Sequence, residues 1–560
     1  MNLKTLILAA TAFVSSAAQA DDIFMDAHFK YRIADETNHK VYVTGLSAGE
    51  RPETLFIPSK ATYLNRTYTV VGIGTDAFAD LTSLTSVWLP ESIRYIGEGA
   101  FSGCQLKEIH CHATVPPKFS PVEIEGGRNV EEMRLRDPFI FADTTQYIYY
   151  TFMPRWVNDN PGVEKYESYD MRRWKSTGWA WDHVDGFLGN NDCWAPDMYE
   201  WKGDHYIFIT FSRVYDRSNG DHWNRDNFEI KPGTTLLKST DGPGGKYYPM
   251  FTAESGRLNY TPSDMFAIDG SLYVDTDGQP WMIYSGELCQ FYDGRVYAQK
   301  MKPDFTDLEG EPILLFSASQ SRWAHDSGVR EGHRVYITDA PFIYRDKVSG
   351  KLIMIWSSNS NTGYAVGGAV SESGKVTGPW RHTGKLNTDN GGHAMLFHDL
   401  EGRLMMSYHT TENDTAIEHM CIRQATVSGG EIKPFDMENG YMVKSGDEVN
   451  PSFNAATLAT AKVYLPRAVY MDYRLGNLWT AFSNLALEQS GIDDVADDSE
   501  VSYRLEGCRL TVAPGCGDTS VYSISGTLMA RFGNDGGEMS FNQRGIYLLK
   551  TATKNYKLTI

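Results

Sequence analysis

Five residues with acid–base capacity stand at matching places in a long internal repeat: Asp137, Asp197, Asp269, Asp339 and His393. Each opens an apolar run that is followed by a polar turn and a second apolar run. A lone carboxylate beside a turn would be read as a cap. Four carboxylates and an imidazole at one phase of a repeat ask for another account. Brought together, they repel one another unless some stay protonated or a cation binds. Such a cluster suits general acid–base chemistry.

The elements that must position them are hairpins. Asp137–Phe141 and Tyr147–Phe152 flank a turn at 142–146, and Asp197–Tyr199 and Tyr206–Ile209 flank Lys202–Asp204. Leu272–Val274 and Trp281–Tyr284 flank Asp275–Gly278, and Phe342–Tyr344 and Leu352–Trp356 flank Lys347–Gly350. Met395–Phe397 and Leu404–Tyr408 flank Glu401-Gly402. The turns carry the Gly, Asp and Asn residues that reversals favour. A third strand follows every pair: Val163–Ser168, Leu236–Ser239, Val296–Lys300, Tyr364–Ser371 and Ile417–Val427. Helix-period segments are nearly absent, so the fold class is mainly β. Five radial sheets predict a five-bladed β-propeller over 128–430, which closes on itself and protects its strand edges. A β-sandwich is the other arrangement of such strands, but it gives no reason for acidic residues to recur at one phase. In a propeller the innermost strands start at one end of the central channel, so that phase becomes a ring.

The wording of these strands resembles glycoside hydrolase family 43: Arg-Asp-Pro-Phe-Ile-Phe at 136–141, Trp-Ala-Pro-Asp-Met-Tyr at 194–199, the run 268–278, Ile-Thr-Asp-Ala-Pro-Phe-Ile-Tyr at 337–344, and the runs 369–380 and 391–397. The resemblance implies a five-bladed propeller that cleaves glycosidic bonds with inversion, mostly on α-L-arabinofuranosides and β-D-xylosides. It implies Asp137 as general base, Asp269 as the carboxylate that orients the acid, and Asp339 at the position of the acid. That position is usually Glu. Asp is one methylene shorter and draws the carboxyl back by about 1.5 Å, so Glu287 stands as the alternative acid and an impaired site as the third reading. His393 matches a channel-facing His, with calcium held through water as an open option and no other cofactor required. Asp197 is expected to bind substrate or brace its blade. Trp194, Trp156 and Trp181 are candidates for a sugar-stacking platform, set against plain packing. A galactan-cleaving relative on the same fold, or a weakly catalytic glycan-binding surface protein, are the other readings.

The flanks carry their own signals. Residues 1–20 read as a secretory signal, with Lys4, an apolar stretch Leu6–Val14 and the small-x-small site Ala18-Gln19-Ala20. No segment is long enough to span a membrane. Ile73-Gly74-Thr75-Asp76-Ala77-Phe78 is echoed at Ile96–Phe101, a 23-residue period that marks a leucine-rich solenoid. Its wording resembles BspA-like repeats, over 21–120, either adhesive or a capping spacer. Residues 431–490 read as a β-rich connector with strand-like Lys462–Leu465, Ala468–Tyr473 and Trp479–Phe482, and 491–500 as an acidic linker. Residues 501–560, with Val521–Gly526, Arg544–Lys550 and Tyr556–Ile560, resemble the C-terminal sorting domain of type IX secretion. That resemblance implies a small β-sandwich and a route to the cell surface; a carbohydrate-binding sandwich is the alternative.

Composition sets outer bounds. A formal net charge of −19 argues against a nucleic-acid partner, which requires clustered Lys and Arg; carbohydrate is the partner that the family resemblance implies. The seven cysteines (104, 111, 193, 289, 421, 508 and 516) form no metal-binding spacing. Export permits local pairs Cys104–Cys111 and Cys508–Cys516.

Overall fold

The computed structural model describes residues 23–559 except 48, 121–125, 184–185, 217–224, 252, 287–289, 412–416, 476–477, 488–502, 507–508, 514–517, 524–527, 542–545 and 551–554. The expected signal segment, the acidic linker, Glu287, Cys289, Cys508 and Cys516 lie outside the described residues.

The repeats near the N-terminus form a solenoid because each offers one short apolar strand that only its neighbours can cover. Thr54–Phe56, Ser86–Leu89 and Glu108–Cys111 pair in parallel, burying Leu55, Val87 and Ile109. A second sheet runs through Lys40–Leu46, Arg66–Ile73, Tyr95–Ile96 and Lys118–Phe119, and the antiparallel pair Ile23–Met25 and Phe29–Asp35 closes its end. The repeated phenylalanines stack, Phe78 on Phe101 at 5.5 Å. At Gly97 a Cβ would sit 2.5 Å from the Thr75 amide nitrogen, so only glycine lets the turns approach this closely.

The solenoid does not stop where the propeller begins. Phe453, beyond the propeller, stacks on Phe101 at 5.3 Å, and Lys462–Leu465 pairs in parallel with Glu108–Cys111. Asn484–Leu487 then adds one more parallel strand. The Ser452 hydroxyl donates to the carbonyl of Gly97 at 2.6 Å and accepts the Ser120 amide at 2.9 Å. Much of the stretch expected as a connector is therefore the continuation of the solenoid, and the propeller is inserted within it. The expected strands at 468–473 and 479–482 are instead the helix Tyr470–Leu475, its preceding turn Arg467–Val469 and the short helical turn Trp479–Ala481. Parallel neighbours need a crossover, and these short helices supply it.

Five blades make the propeller, the second and third joined into one eight-stranded sheet by a single parallel pairing of Gly233 with Ala267. The first has Ile140–Asp143, Ile148–Val157, Asn160–Ser168 and Arg173–Asp182; the second has Asn191–Trp201, Asp204–Val214, Phe228–Ser239 and Tyr248–Pro249. The third has Ala267–Val274, Pro280–Gly286, Arg295–Met301 and Leu308–Ser317; the fourth has Asp339–Arg345, Leu352–Ser360, Gly363–Ser371 and Trp380–Lys385. The fifth has Gly391–His398, Leu404–Thr411 and Glu418–Gln424. The Met420 amide donates to the Met133 carbonyl at 3.1 Å, so the segment ahead of the first blade lies against the last and joins the ring. The outer strand Leu308–Ser317 is largely exposed, Ile313 and Leu314 of its apolar run included.

The solenoid docks on the turns of blades one and five. Lys40 Nζ donates to the Thr144 carbonyl at 3.1 Å, Tyr95 stacks on Tyr147, and Glu401 accepts the amide and hydroxyl of Thr75 at 3.0 and 2.7 Å. These turns close the hairpins at the end opposite Asp137 and His393. A small β-sandwich completes the chain. Tyr503–Glu506, Arg509–Val512 and Gly537–Ser540 form one sheet; Thr519–Ser523, Leu528–Phe532, Ile546–Lys550 and Asn555–Thr559 form the other. Leu510, Val512, Val521, Phe532 and Leu549 fill the space between.

Cys104 and Cys111 are not joined. Cys104 Sγ donates to the Phe78 carbonyl at 3.1 Å, while Cys111 Sγ lies 3.2 Å from the Tyr473 hydroxyl. The repeat packs each thiol against a different neighbour, which overrides their closeness in sequence.

Candidate functional site

Each innermost strand begins with a corner. Asp137, Ala195, Asp269, Ala340 and His393 all have left-handed backbones, with φ of 55°, 48°, 54°, 47° and 51°. The pairing slips beside the corner in blades two to five, between Trp194 and Asp197, Ile268 and Ser271, Asp339 and Phe342, and Gly392 and Met395. Such non-glycine corners cost about 1–3 kcal/mol each and persist only where the surroundings enforce them. Here the neighbouring blade does so. The Asp269 amide donates to Thr210 Oγ1 at 3.2 Å, the His393 amide to Ser357 Oγ at 2.8 Å, and the Asp137 amide to His409 Nδ1 at 3.1 Å. The repeat phase read from the sequence is thus three positions, not one. Asp137, Asp269 and His393 sit on the corner itself, Asp339 one residue before it and Asp197 two after.

The structure brings Asp137, Asp269 and His393 together and sets Asp339 within range of their charges. His393 Nδ1 stands 3.0 Å from Asp137 Oδ1 and 3.9 Å from Asp269 Oδ2. The Ala340 amide donates to Asp269 Oδ2 at 3.3 Å, and the Tyr364 hydroxyl donates to Asp339 Oδ2 at 2.7 Å. Asp197 accepts from the Tyr199 hydroxyl at 3.1 Å. Arg136 Nε lies 3.5 Å from Asp137 Oδ1 and its Nη1 3.3 Å from Glu418, so the guanidinium ties blade one to blade five.

Burial and charge divide the carboxylates into two kinds. Burial works to raise the Asp137 carboxyl, but His393, His409 and Arg136 outweigh it and hold the group well below the usual carboxylate range. Asp269 is pushed far above that range, by burial first and then by the charges of Asp339 and Asp137. Burial also raises Asp197, against the Tyr199 hydrogen bond, and lowers His393, against the charge of Asp137. One side of the ring thus favours the anion and the other the protonated form.

The tryptophans separate. Trp181 is 1% exposed and wedged against Phe187 and Phe211, so it is core and not a platform. An apolar strand end looks the same in sequence whichever way its ring points. Trp156 is 41% exposed at the end of Ile148–Val157, and Trp194 is partly buried where Asn191–Trp201 approaches its bulge. A cavity lined by Asp197, Asp269, Ser271 and His393 has about 10 Å³, space for about one water. Among the described residues no group of three or more His, Cys, Asp or Glu is placed to hold a metal ion directly.

Arg136, His409, Glu418, Tyr199 and Tyr364 were not picked out from sequence. Arg136 and Tyr199 lie inside quoted motifs. His409 and Tyr364 sit on second and third strands, where no repeat phase marks them.

A carboxyl held low beside one pushed high, at the head of a propeller channel, is an arrangement suited to acid–base hydrolysis. Residues 128–431 match the model of glycosyl hydrolases family 43, and 51–117 match the BspA type leucine rich repeat region in 6 copies. The chain belongs to glycosyl hydrolases family 43 and is a glycoside hydrolase acting on O-glycosyl bonds. Among solved structures, an endo-arabinase from Bacteroides thetaiotaomicron is 40% identical over 54% of this chain and 98% of its own, with a TM-score of 0.47. An endo-1,4-beta-xylanase from the same bacterium is 18% identical over 57% and 98%, with a TM-score of 0.41. An alpha-L-arabinanase from Cellvibrio cellulosa is 17% identical over 55% and 96%, with a TM-score of 0.40. No curated protein matches the chain.

Proposed function

We propose that this enzyme hydrolyses arabinose- or xylose-containing plant glycan with inversion of the anomeric carbon. Asp137 is the general base: held as an anion, it takes a proton from a water that attacks the anomeric carbon. Asp339 is the general acid and passes its proton to the departing glycosidic oxygen as the C–O bond breaks. Asp269, buried beside it, keeps a proton on that side of the ring and orients the acid. Inversion needs the two working carboxyls about 6.5–9.5 Å apart, with water between base and sugar. The observation that carries this reading is the opposed state of Asp137 and Asp269 around one imidazole, His393. Trp156 and Trp194 offer partly open rings on which sugars can stack.

Export is part of the same reading. The positive, apolar and small-x-small pattern of residues 1–20 supports removal of a signal after Ala20, and the C-terminal sandwich supports a sorting address and surface attachment. No helix among the described residues is long and apolar enough to cross a membrane.

The test is turnover of arabinan, xylan and galactan by the purified protein, with the anomer of the first product followed by NMR. Arabinan or xylan cleavage with inverted product is the expected result. Retention of configuration overturns the mechanism, and cleavage of galactan alone overturns the substrate. Binding without cleavage would mark an adhesin.

A further inference from the structure

We propose that Tyr364 is the positioning residue of the Asp339 carboxyl, a role that rests on the reading of Asp339 as the general acid. The three carboxyls of the ring are held differently. Asp137 Oδ1 has the imidazoles of His393 and His409 at 3.0 and 3.2 Å and Arg136 Nε at 3.5 Å without a hydrogen bond to any of them, and Asp269 Oδ2 accepts the Ala340 amide. Asp339 is partly exposed and receives the Tyr364 hydroxyl at 2.7 Å.

Tyr364 is itself fixed from several sides. Its amide donates to Asn390 Oδ1 at 2.8 Å, and its ring lies 5.6 Å from that of His409 at 19°. A Cβ on Gly392 would come within 2.2 Å of the ring, so the absence of a side chain there makes the space that the ring fills. The hydroxyl is therefore aimed by a rigid wedge between blades four and five. It anchors Oδ2 and leaves Oδ1 to face the glycosidic oxygen. When Asp339 gives up its proton, that proton joins the leaving oxygen, and the phenol O–H stays intact and donates to the carboxylate left behind. Burial, and then the Asp339 charge, push the phenol far above its ordinary range, so it remains a donor throughout the working range. Through His409, which lies 3.2 Å from Asp137 Oδ1, the same ring also abuts the base.

The test is Tyr364→Phe, which keeps the ring and removes the hydroxyl, compared with Asp339→Asn and the double variant. Each is assayed on linear arabinan or xylan, whichever the wild type degrades, and on a 2,4-dinitrophenyl glycoside of the matching oligosaccharide. That leaving group needs no proton. We expect kcat of Tyr364→Phe on polysaccharide to fall about 10- to 100-fold, with KM within about two-fold and the dinitrophenyl rate within about three-fold. The double variant should be no slower than Asp339→Asn alone, because the hydroxyl acts only through that carboxyl. Equal losses on both substrates, no loss on either, or additive losses in the double variant overturn the role of Tyr364 while Asp339→Asn keeps its leaving-group dependence. If Asp339→Asn shows no such dependence, the acid assignment itself has failed, and the role of Tyr364 falls with it.

Discussion

The rings of His110 and Tyr464 lie 4.6 Å apart and within 8° of parallel, on adjacent strands in register, although the whole propeller separates them in the chain. Trp88 stacks on the other face of His110 at 3.7 Å, so one ladder of rings runs across the point of insertion. The enzyme domain leaves and re-enters a solenoid that is one hydrophobic body, with Phe453, Val463, Leu465 and Trp479 buried among Phe101, Ile109 and Cys111.

Shortening the chain to end at residue 430 should therefore damage the N-terminal repeats, because Glu108–Cys111 loses one of its two strand partners and Phe101 one of its two stacking partners. A milder probe is Phe453→Ala. Phe453 is 1% exposed, and its truncation should cost about 3–5 kcal/mol in denaturant unfolding of the solenoid. Unchanged unfolding would show that the strands beyond the propeller contribute nothing.

Replacing Asp137 by Asn should reduce kcat by about a hundred- to ten-thousand-fold while glycan affinity persists. The same change has a stability signature. The folded Asp137 carboxyl lies below its unfolded value, so its contribution is present above about pH 4 and fades as pH falls toward the folded value. Denaturant curves should show the variant less stable than wild type by on the order of 2 kcal/mol at pH 7, with the gap closing in strong acid.

Asp269→Asn should behave in the opposite sense. Its folded carboxyl is raised, so its contribution is complete below about pH 4 and is lost as pH rises through the folded value. Wild type and variant should melt alike in acid, and the variant should melt higher, by a few degrees, at alkaline pH. A variant that melts lower at alkaline pH would contradict the burial account of this group.

The buried thiols of Cys104 and Cys111 should resist iodoacetamide in the native protein and react fully after unfolding, with no reductant required. Burial pushes the Cys104 thiol up to about 11, which removes the reactive thiolate at neutral pH. Mass spectrometry of the labelled peptides reads both states, and a reductant requirement would restore the local disulfide.

Sequence by itself determined the mainly β character, the solenoid period and the five hairpins, because alternation and turn chemistry are local consequences of a strand that is half buried. It also marked Asp137, Asp269, Asp339 and His393 as residues of one repeat feature. Tertiary structure alone decided that this feature is a left-handed corner held by the preceding blade, with Asp339 and Asp197 offset from it. Likewise, only tertiary packing could tell that Trp181 is core, that His409 and Tyr364 brace the carboxyls, and that residues 452–487 complete a solenoid begun before the propeller. The reason is physical: a side chain's periodicity reports which face of its strand is buried, but not which distant strand lies opposite. Partners such as Thr210 for Asp269, or Tyr464 for His110, exist only once the ring and the solenoid have closed.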